Sequence, residues 1–374
     1  MGGEVLLYGY SAVCVSMLIF NILYYLSLNG RSRRMARESK RLRLRVDRQL
    51  EWLRQGEEVE QKHLTYLRRK LSRVNHLIAF DKMMTERREI DEDGEPNAEL
   101  GEYYRSIQPV ILHLAVVYRN RESVQAAYFA WFLAKHKMNQ RMELDAVQDI
   151  LVDYMNQDSL YCRVNAFHAL CELGNSRYVT KALSVLDRNQ KFFHDKLLTD
   201  SLLAFTGSRR ELAQALLEQF DSFSAQTRLA VLNYVRFSSG DYREWVLGIL
   251  NDPAEDKELR LSAIRYFGRY VYPPAKPVLL EFASDKDPLH WEYVAVSATA
   301  LAAYEGEDVV DTLIGTIYSS NWYVRNNAAD SLAARGLEYD DLAEVVGGGD
   351  RFVREIMLYH LRSRGESKEA AAEL

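Results

Sequence analysis

Residues 321–336 read NWYVRNNAADSLAARG. Arg325 is followed by Ala328 three positions on and by Leu332 seven positions on, and the amphipathic run closes on Gly336. One such run is one helix. The same run at a fixed interval is a repeat architecture, so recurrence decides the fold.

The run recurs. Arg163 opens RVNAFHAL, Lys196 opens KLLTDSLL, Arg228 opens RLAVLNYV and Arg260 opens RLSAIRYF. Val294 then opens VAVSATAL, Arg325 opens RNNAADSL and Arg354 opens REIMLYHL. Their first residues are 33, 32, 32, 34, 31 and 29 positions apart. The fourth position is mostly small (Ala166, Thr199, Val231, Ala263, Ser297, Ala328), with Met357 as the exception. The eighth is apolar throughout: Leu170, Leu203, Val235, Phe267, Leu301, Leu332, Leu361. A looser copy, VQAAYFAW, starts at Val124.

After most copies comes a break and a second amphipathic run, such as ELAQALLEQF from Glu211 or VVDTLIGTIY from Val309. The breaks hold Gly174, Gly207, Gly240, Pro273-Pro274, Gly306 and Gly336, which is turn chemistry. Each unit therefore reads as helix, turn, helix, turn. A hairpin of about 32 residues cannot bury its apolar face alone, so neighbouring units must share a core. The small fourth residue lets adjacent helices approach, and the arginine is expected to reach an aspartate in the preceding turn, as Asp350 and Arg354 are spaced to do.

The pattern resembles the HEAT-repeat superfamily, above all its short bacterial HEAT-like members, in which a valine-arginine pair opens the first helix and an alanine and a leucine follow. Val324-Arg325 with Ala328 and Leu332, and Val353-Arg354, carry the likeness. It covers roughly residues 100–365. It implies an all-α superhelical solenoid of about seven to eight two-helix repeats over 98–374, and a protein that binds macromolecules without shared catalytic residues.

The N-terminal part differs in kind. Residues 1–90 carry 18 Lys/Arg against 10 Asp/Glu, and the remainder 30 against 43. Residues 5–28 contain no charge, and 24 residues of helix span about 36 Å, so residues 1–30 are expected to form a transmembrane anchor. RSRRMARESKRLRLRVDR, residues 31–48, reads as a basic juxtamembrane neck on anionic lipid, through Arg31, Arg33, Arg34, Arg37, Lys40, Arg41, Arg43 and Arg45. The positive-inside bias then predicts a single-pass protein of the inner or plasma membrane, N-terminus outside and solenoid cytoplasmic. Within the anchor, Ala12 and Ser16 form a small-xxx-small pair.

Residues 49–97 read as linking or capping helices followed by an acidic linker. Val46, Leu50, Leu53, Leu64, Leu67, Leu71, Val74 and Ile78 share a 4-3 spacing that Gly56, Glu57 and Glu60 interrupt. Helices folding back on the repeats and a homo-oligomeric coiled coil both fit. Asp91, Asp93, Glu95 and Glu102 match calcium-loop positions, but Pro96 stands where the loop needs glycine, so a solvated linker is the better reading.

No phosphate loop, GxGxxG, GxSxG or HExxH appears, so no catalytic, cofactor or metal residues are assigned and no enzyme is expected. His168 with Cys171 is too few ligands for a metal. Nucleic acid is disfavoured, because Glu211, Glu218, Glu244, Glu281, Glu307, Asp308, Asp311, Asp340, Asp341 and Glu344 belong to the second runs or their entry turns. The aromatics at the turns, Trp291, Trp322, Tyr323 and Phe352, together with Tyr242 and Trp245 at the start of a second run, are the candidate partner-binding residues. The layout points to a membrane-tethered scaffold for a membrane-bound protein partner. By analogy of layout that partner is a bacterial envelope or exopolysaccharide glycosyltransferase complex. The alternatives are a HEAT-like lyase or hydrolase with a concave-face pocket, and an oligomerising signalling adaptor.

Overall fold

A computed structural model describes residues 2–88, 98–136, 138, 145–191 and 193–372, with the side chains of 2–8, 11–12, 22–35 and 365–372 outside the description. Among the described residues the chain is all-helical, with no strand. It divides into two compact units, Met1–Lys191 with Ala204–Ser208, and Phe192–Leu203 with Arg209–Leu374.

The second unit holds α10 (Asp195–Leu203), α11 (Arg209–Glu218), α12 (Ala225–Ser238), α13 (Arg243–Asn251), α14 (Lys257–Arg269), α15 (Lys276–Ala283), α16 (Trp291–Leu301), α17 (Glu307–Thr316), α18 (Trp322–Ala334), α19 (Ala343–Val346) and α20 (Arg351–Ala372). The even-numbered helices α10 to α20 each pack on the next, forming one layer. The odd-numbered ones lie between turns, and α13, α15, α17 and α19 each pack on the helix that follows. This is the helical-repeat arrangement compatible with an α-solenoid.

The repeat positions explain the layer. Every fourth-position residue is buried, including Met357. Thr199 tolerates burial because its hydroxyl donates to the Ala230 carbonyl at 3.3 Å on the neighbouring helix. Of the eighth-position residues, Leu170, Val235, Phe267, Leu301 and Leu332 are fully enclosed, while Leu203 and Leu361 are half-buried. Side-chain caps start the helices: Ser224 accepts from Thr227, Asp256 from Glu258, Asn321 from Tyr323, and Asp350 from Phe352 and Val353. Each such cap is worth about 1 kcal/mol.

The arginines do not do what their spacing suggests. Arg325 donates to the carbonyls of Ser319 (2.7 Å) and Ser320 (2.9 Å), and Arg354 to that of Gly348 (3.2 Å). Arg260 reaches the Leu250 carbonyl through Nε at 3.2 Å. Asp350 is committed instead to the first-turn amides of α20. The end of a helix leaves carbonyls without donors, and a guanidinium carries enough N–H groups to satisfy two at once. Arg228 pairs with an acid, Glu255, at 2.9 Å.

The first unit holds α1 (Gly2–Arg54), α2 (Gln61–Leu71), α3 (Val74–Arg88), α4 (Ala98–Ser106), α5 (Gln108–Arg119), α6 (Ser123–Lys135), α7 (Asp145–Asp153), α8 (Leu160–Leu173) and α9 (Ser176–Arg188). Arg163 on α8 repeats the carbonyl capping, at 2.8 Å to Gln157 and 2.7 Å to Asp158. Gly174 ends α8 at φ +74°, and its carbonyl lies where a Cβ on Gly207 would stand, 2.1 Å away. Only glycine permits both the left-handed turn and that approach.

Two sequence expectations fail at the N-terminus. Among the described residues no helix is long and apolar enough to cross a membrane. That overturns the transmembrane anchor over 1–30, and with it the single-pass placement with an outer N-terminus and a cytoplasmic solenoid. The apolar residues are not a separate span. They open one continuous helix that runs on through the charged residues to Arg54. The side chains of 5–8, 11–12 and 22–28, Ala12 of the small-residue pair among them, lie outside the described residues.

The second half of α1 is a protein-packing helix. Leu42, Val46 and Leu50 are buried, and α1 packs on α3 and α4. Gly56 at φ +78° ends the helix region, and α2 packs on α3 and α5. The 4-3 seam is thus broken into helices that fold back within this unit, with Ile78 left 44% exposed.

Candidate interaction surfaces

The aromatic residues singled out by sequence separate into two groups. Trp291 is half-buried against Val294, Ala295 and Val324, and Tyr323 stacks on it with ring centres 5.5 Å apart. Trp322 meets Tyr323 edge-on at 5.2 Å. Phe352 lies under the Arg325 guanidinium at 5.7 Å. Trp322, Tyr323 and Phe352 are 56%, 58% and 68% exposed, which is far more than packing between units requires. Leu289, in the turn before α16, is also exposed.

Trp291 walls a cavity of about 500 Å³ between the turns. Asp285, Asp287, Tyr318, Ser319 and Asn321 line its polar side, and Val294 and Val324 its apolar floor. Asp285 accepts from the Asp287 amide and pairs with His290 at 2.7 Å. The backbone donor and the imidazole hold the Asp285 carboxyl below its ordinary range against the opposing effect of burial. Lys286 lines the cavity beside the two aspartates, so the edge joins exposed rings to a polar pocket that carries charges of both signs.

Trp245 and Tyr242 do not belong to it. Trp245 packs edge-on against Phe220 at 4.8 Å, and Phe220 lies under Arg228. Tyr242 is half-buried and its amide donates to the Tyr266 hydroxyl. Neither lines the cavity beside Trp291. Both are packing residues.

The basic segment is partly engaged with the first unit itself. Arg43 pairs with Glu86, Arg45 lies over the Tyr66 ring at 4.2 Å, and Arg41 approaches Glu38 at 3.6 Å. Arg37 and Lys40 are exposed, whereas the side chains of Arg31, Arg33 and Arg34 lie outside the described residues. Asp91, Asp93, Glu95 and Pro96 of the acidic linker lie outside them as well. Among the described residues no group of three metal-ligating side chains occurs. Cys171 is wholly buried, and burial pushes its thiol far above the usual range.

One polar cluster was invisible to sequence reasoning. In the first unit, Asp81 accepts from His136 Nε2 at 2.8 Å, from the Tyr128 hydroxyl at 2.8 Å and from Lys135 at 2.9 Å. The Tyr104 hydroxyl meets His136 Nδ1 at 3.0 Å. Burial pushes the Asp81 carboxyl up, but its three partners outweigh that and hold it at about 2. Asp81, His136 and Tyr104 are 6%, 4% and 1% exposed, with every ring nitrogen and carboxylate oxygen already partnered. Such a network fixes α3, α4 and α6 against one another; it offers a substrate no free group. No spacing could have revealed it, since its bonded pairs lie 32 to 55 residues apart.

Neither known protein-family models nor curated proteins gave a match to this sequence.

Proposed function

We propose that the protein is a non-enzymatic helical-repeat scaffold that holds a protein partner along the edge formed by Trp291, Trp322, Tyr323 and Phe352. The observation that carries the reading is the exposure of three large rings beside a formed cavity. Solvent-exposed aromatics on a rigid edge are what binding hot spots are made of, because they bring apolar area at little conformational cost. The resemblance of the repeats to HEAT-like arrays supports it, since those mostly bind macromolecules. The polar cavity suits a partner side chain that donates hydrogen bonds to Asp285 and Ser319. With the anchor withdrawn, the layout no longer points to an envelope complex.

The test is quantitative affinity capture from the source cells with the intact chain and with Trp322→Ala/Tyr323→Ala. Both residues are exposed, so the variant should keep the parent's helicity and melting behaviour. Loss of a specific copurifying protein by about tenfold or more supports the edge. Recovery of the same proteins in the same amounts would show that the edge is not the binding surface.

A further inference from the structure

On the layer of first helices, away from the aromatic edge, lies a second cavity of about 600 Å³. Arg236 and Phe237 of α12, Arg265, Gly268 and Arg269 of α14, Val296, Thr299 and Ala300 of α16, and Asn327 of α18 line it. The acidic body makes this concentration of arginine unusual, because residues 91–374 carry 43 Asp/Glu against 30 Lys/Arg.

Arg236 and Arg269 share the Phe237 ring, Arg236 feels the charges of both Arg265 and Arg269, and among the described residues none of the three pairs with a carboxylate. Burial, followed by the charges of Arg265 and Arg269, lowers the proton affinity of Arg236. Its Nε is buried without a hydrogen-bond partner. Arg236 lies over the Phe237 ring at 4.4 Å and Arg269 over the same ring at 5.7 Å. Arg265 and Arg269 are exposed and stand one helical turn apart, a like-charge spacing that costs stability in an isolated helix. The polar neighbours are already committed: the Thr299 hydroxyl and the Asn327 amide both donate to the Ala295 carbonyl. Thr299 has no further donor and the Asn327 amide one N–H at most, so most of the donors offered to the cavity are guanidinium N–H groups, beside apolar surface that includes Val296, Ala300 and the 43% exposed Phe237.

We propose that this arginine pocket binds an acidic segment of a protein partner, pairing its side-chain carboxylates with Arg236, Arg265 and Arg269. Guanidinium forks match carboxylates in geometry as well as charge. The floor of Phe237, Val296 and Ala300 takes an apolar side chain flanking the acids, which a bare inorganic anion would leave uncovered. A long polyanion is disfavoured by the field of the exposed acids on the odd-numbered helices, Glu244, Glu281 and Asp311 among them, whereas a short segment meets only the pocket. The assignment is independent of the aromatic edge and survives if that edge binds nothing.

Fluorescence anisotropy of the full chain with a labelled peptide of glutamates around one leucine tests it. A glutamine-for-glutamate version is the control. Saturable binding is expected for the acidic peptide alone, weakening as salt is added. Arg265→Gln and Arg269→Gln are each expected to weaken it about tenfold. Because these substitutions relieve repulsion, their melting temperatures should equal or exceed that of the parent. Three results would overturn the proposal: equal binding of the glutamine peptide, undiminished binding by both variants, or variants that melt lower while still binding. Displacement of the peptide by millimolar inorganic phosphate or by a single-stranded oligonucleotide, through the same arginines, would also overturn it by reassigning the pocket to phosphate.

Discussion

Arg325 shows how one side chain joins two repeat units. Its guanidinium closes two carbonyls in the turn that ends the preceding unit, while its backbone belongs to the next helix. Arg325→Ala should cost about 1–2 kcal/mol in urea-induced unfolding, since both carbonyls lose a charged donor. Arg325→Glu should cost more, because a carboxylate would face those oxygens, whereas capture by an aspartate would have predicted rescue by a charge swap. Asp81 is the other residue whose environment fixes a measurable quantity. Its folded carboxyl titrates at about 2 against an ordinary 3.8, so its contribution is present above pH 3.8 and is lost as pH falls toward 2. Asp81→Asn leaves Lys135 without its counter-charge and His136 Nε2 without its carboxylate partner, and should cost about 3 kcal/mol at neutral pH. The acid limb of stability below pH 4 should flatten in the same variant.

At the scale of helices, the even-numbered layer depends on small residues where axes come closest. Ala328 is fully buried at the fourth position of its repeat, between α16 and α20. Ala328→Leu inserts three carbon atoms into a filled contact and should destabilise by about 1–3 kcal/mol, read from the shift of the thermal transition. The periodic reading identified these positions correctly, because a repeat forces the same packing problem at each interval. It misread the arginines because an i, i+4 acid is visible in the sequence and a carbonyl acceptor is not. It also missed Asp81 with His136 and the arginine pocket, since each is assembled from residues on different helices.

Across the whole molecule, acid sensitivity is unevenly distributed. His63 is 2% exposed and bonded to Tyr103, and burial, helped by the charge of Arg45, brings its imidazole down to about 4. A folded value below the ordinary 6.5 means that protonation favours the unfolded chain. The contribution of neutral His63 is therefore complete above pH 6.5 and declines as pH falls toward 4, by about 3 kcal/mol in all. His63 and Asp81 both lie in the first unit. At pH 4.5 most of the His63 contribution is already lost while that of Asp81 is still present, so limited proteolysis at that pH should cut within residues 61–136 before it cuts within 225–334, through His63. Simultaneous cleavage of both regions would show that the two units lose stability together.

The recurrence of one eight-residue pattern determined, without coordinates, that the repeats are helical, roughly where the first helix of each unit begins and that its fourth position is buried. Those facts follow from local periodicity and from the inability of a single hairpin to hide its own apolar face. Tertiary structure alone decided the rest. It divided the chain into two units although the repeat interval runs on past residue 191. It left only part of the aromatic set exposed, with Trp322, Tyr323 and Phe352 in solvent and Trp245 and Tyr242 drawn into packing. It also continued the N-terminal apolar stretch into a long charged helix and gathered three arginines from two helices around one cavity. Burial and pairing depend on which helices meet, and that is a property of the folded chain that no interval along it can express.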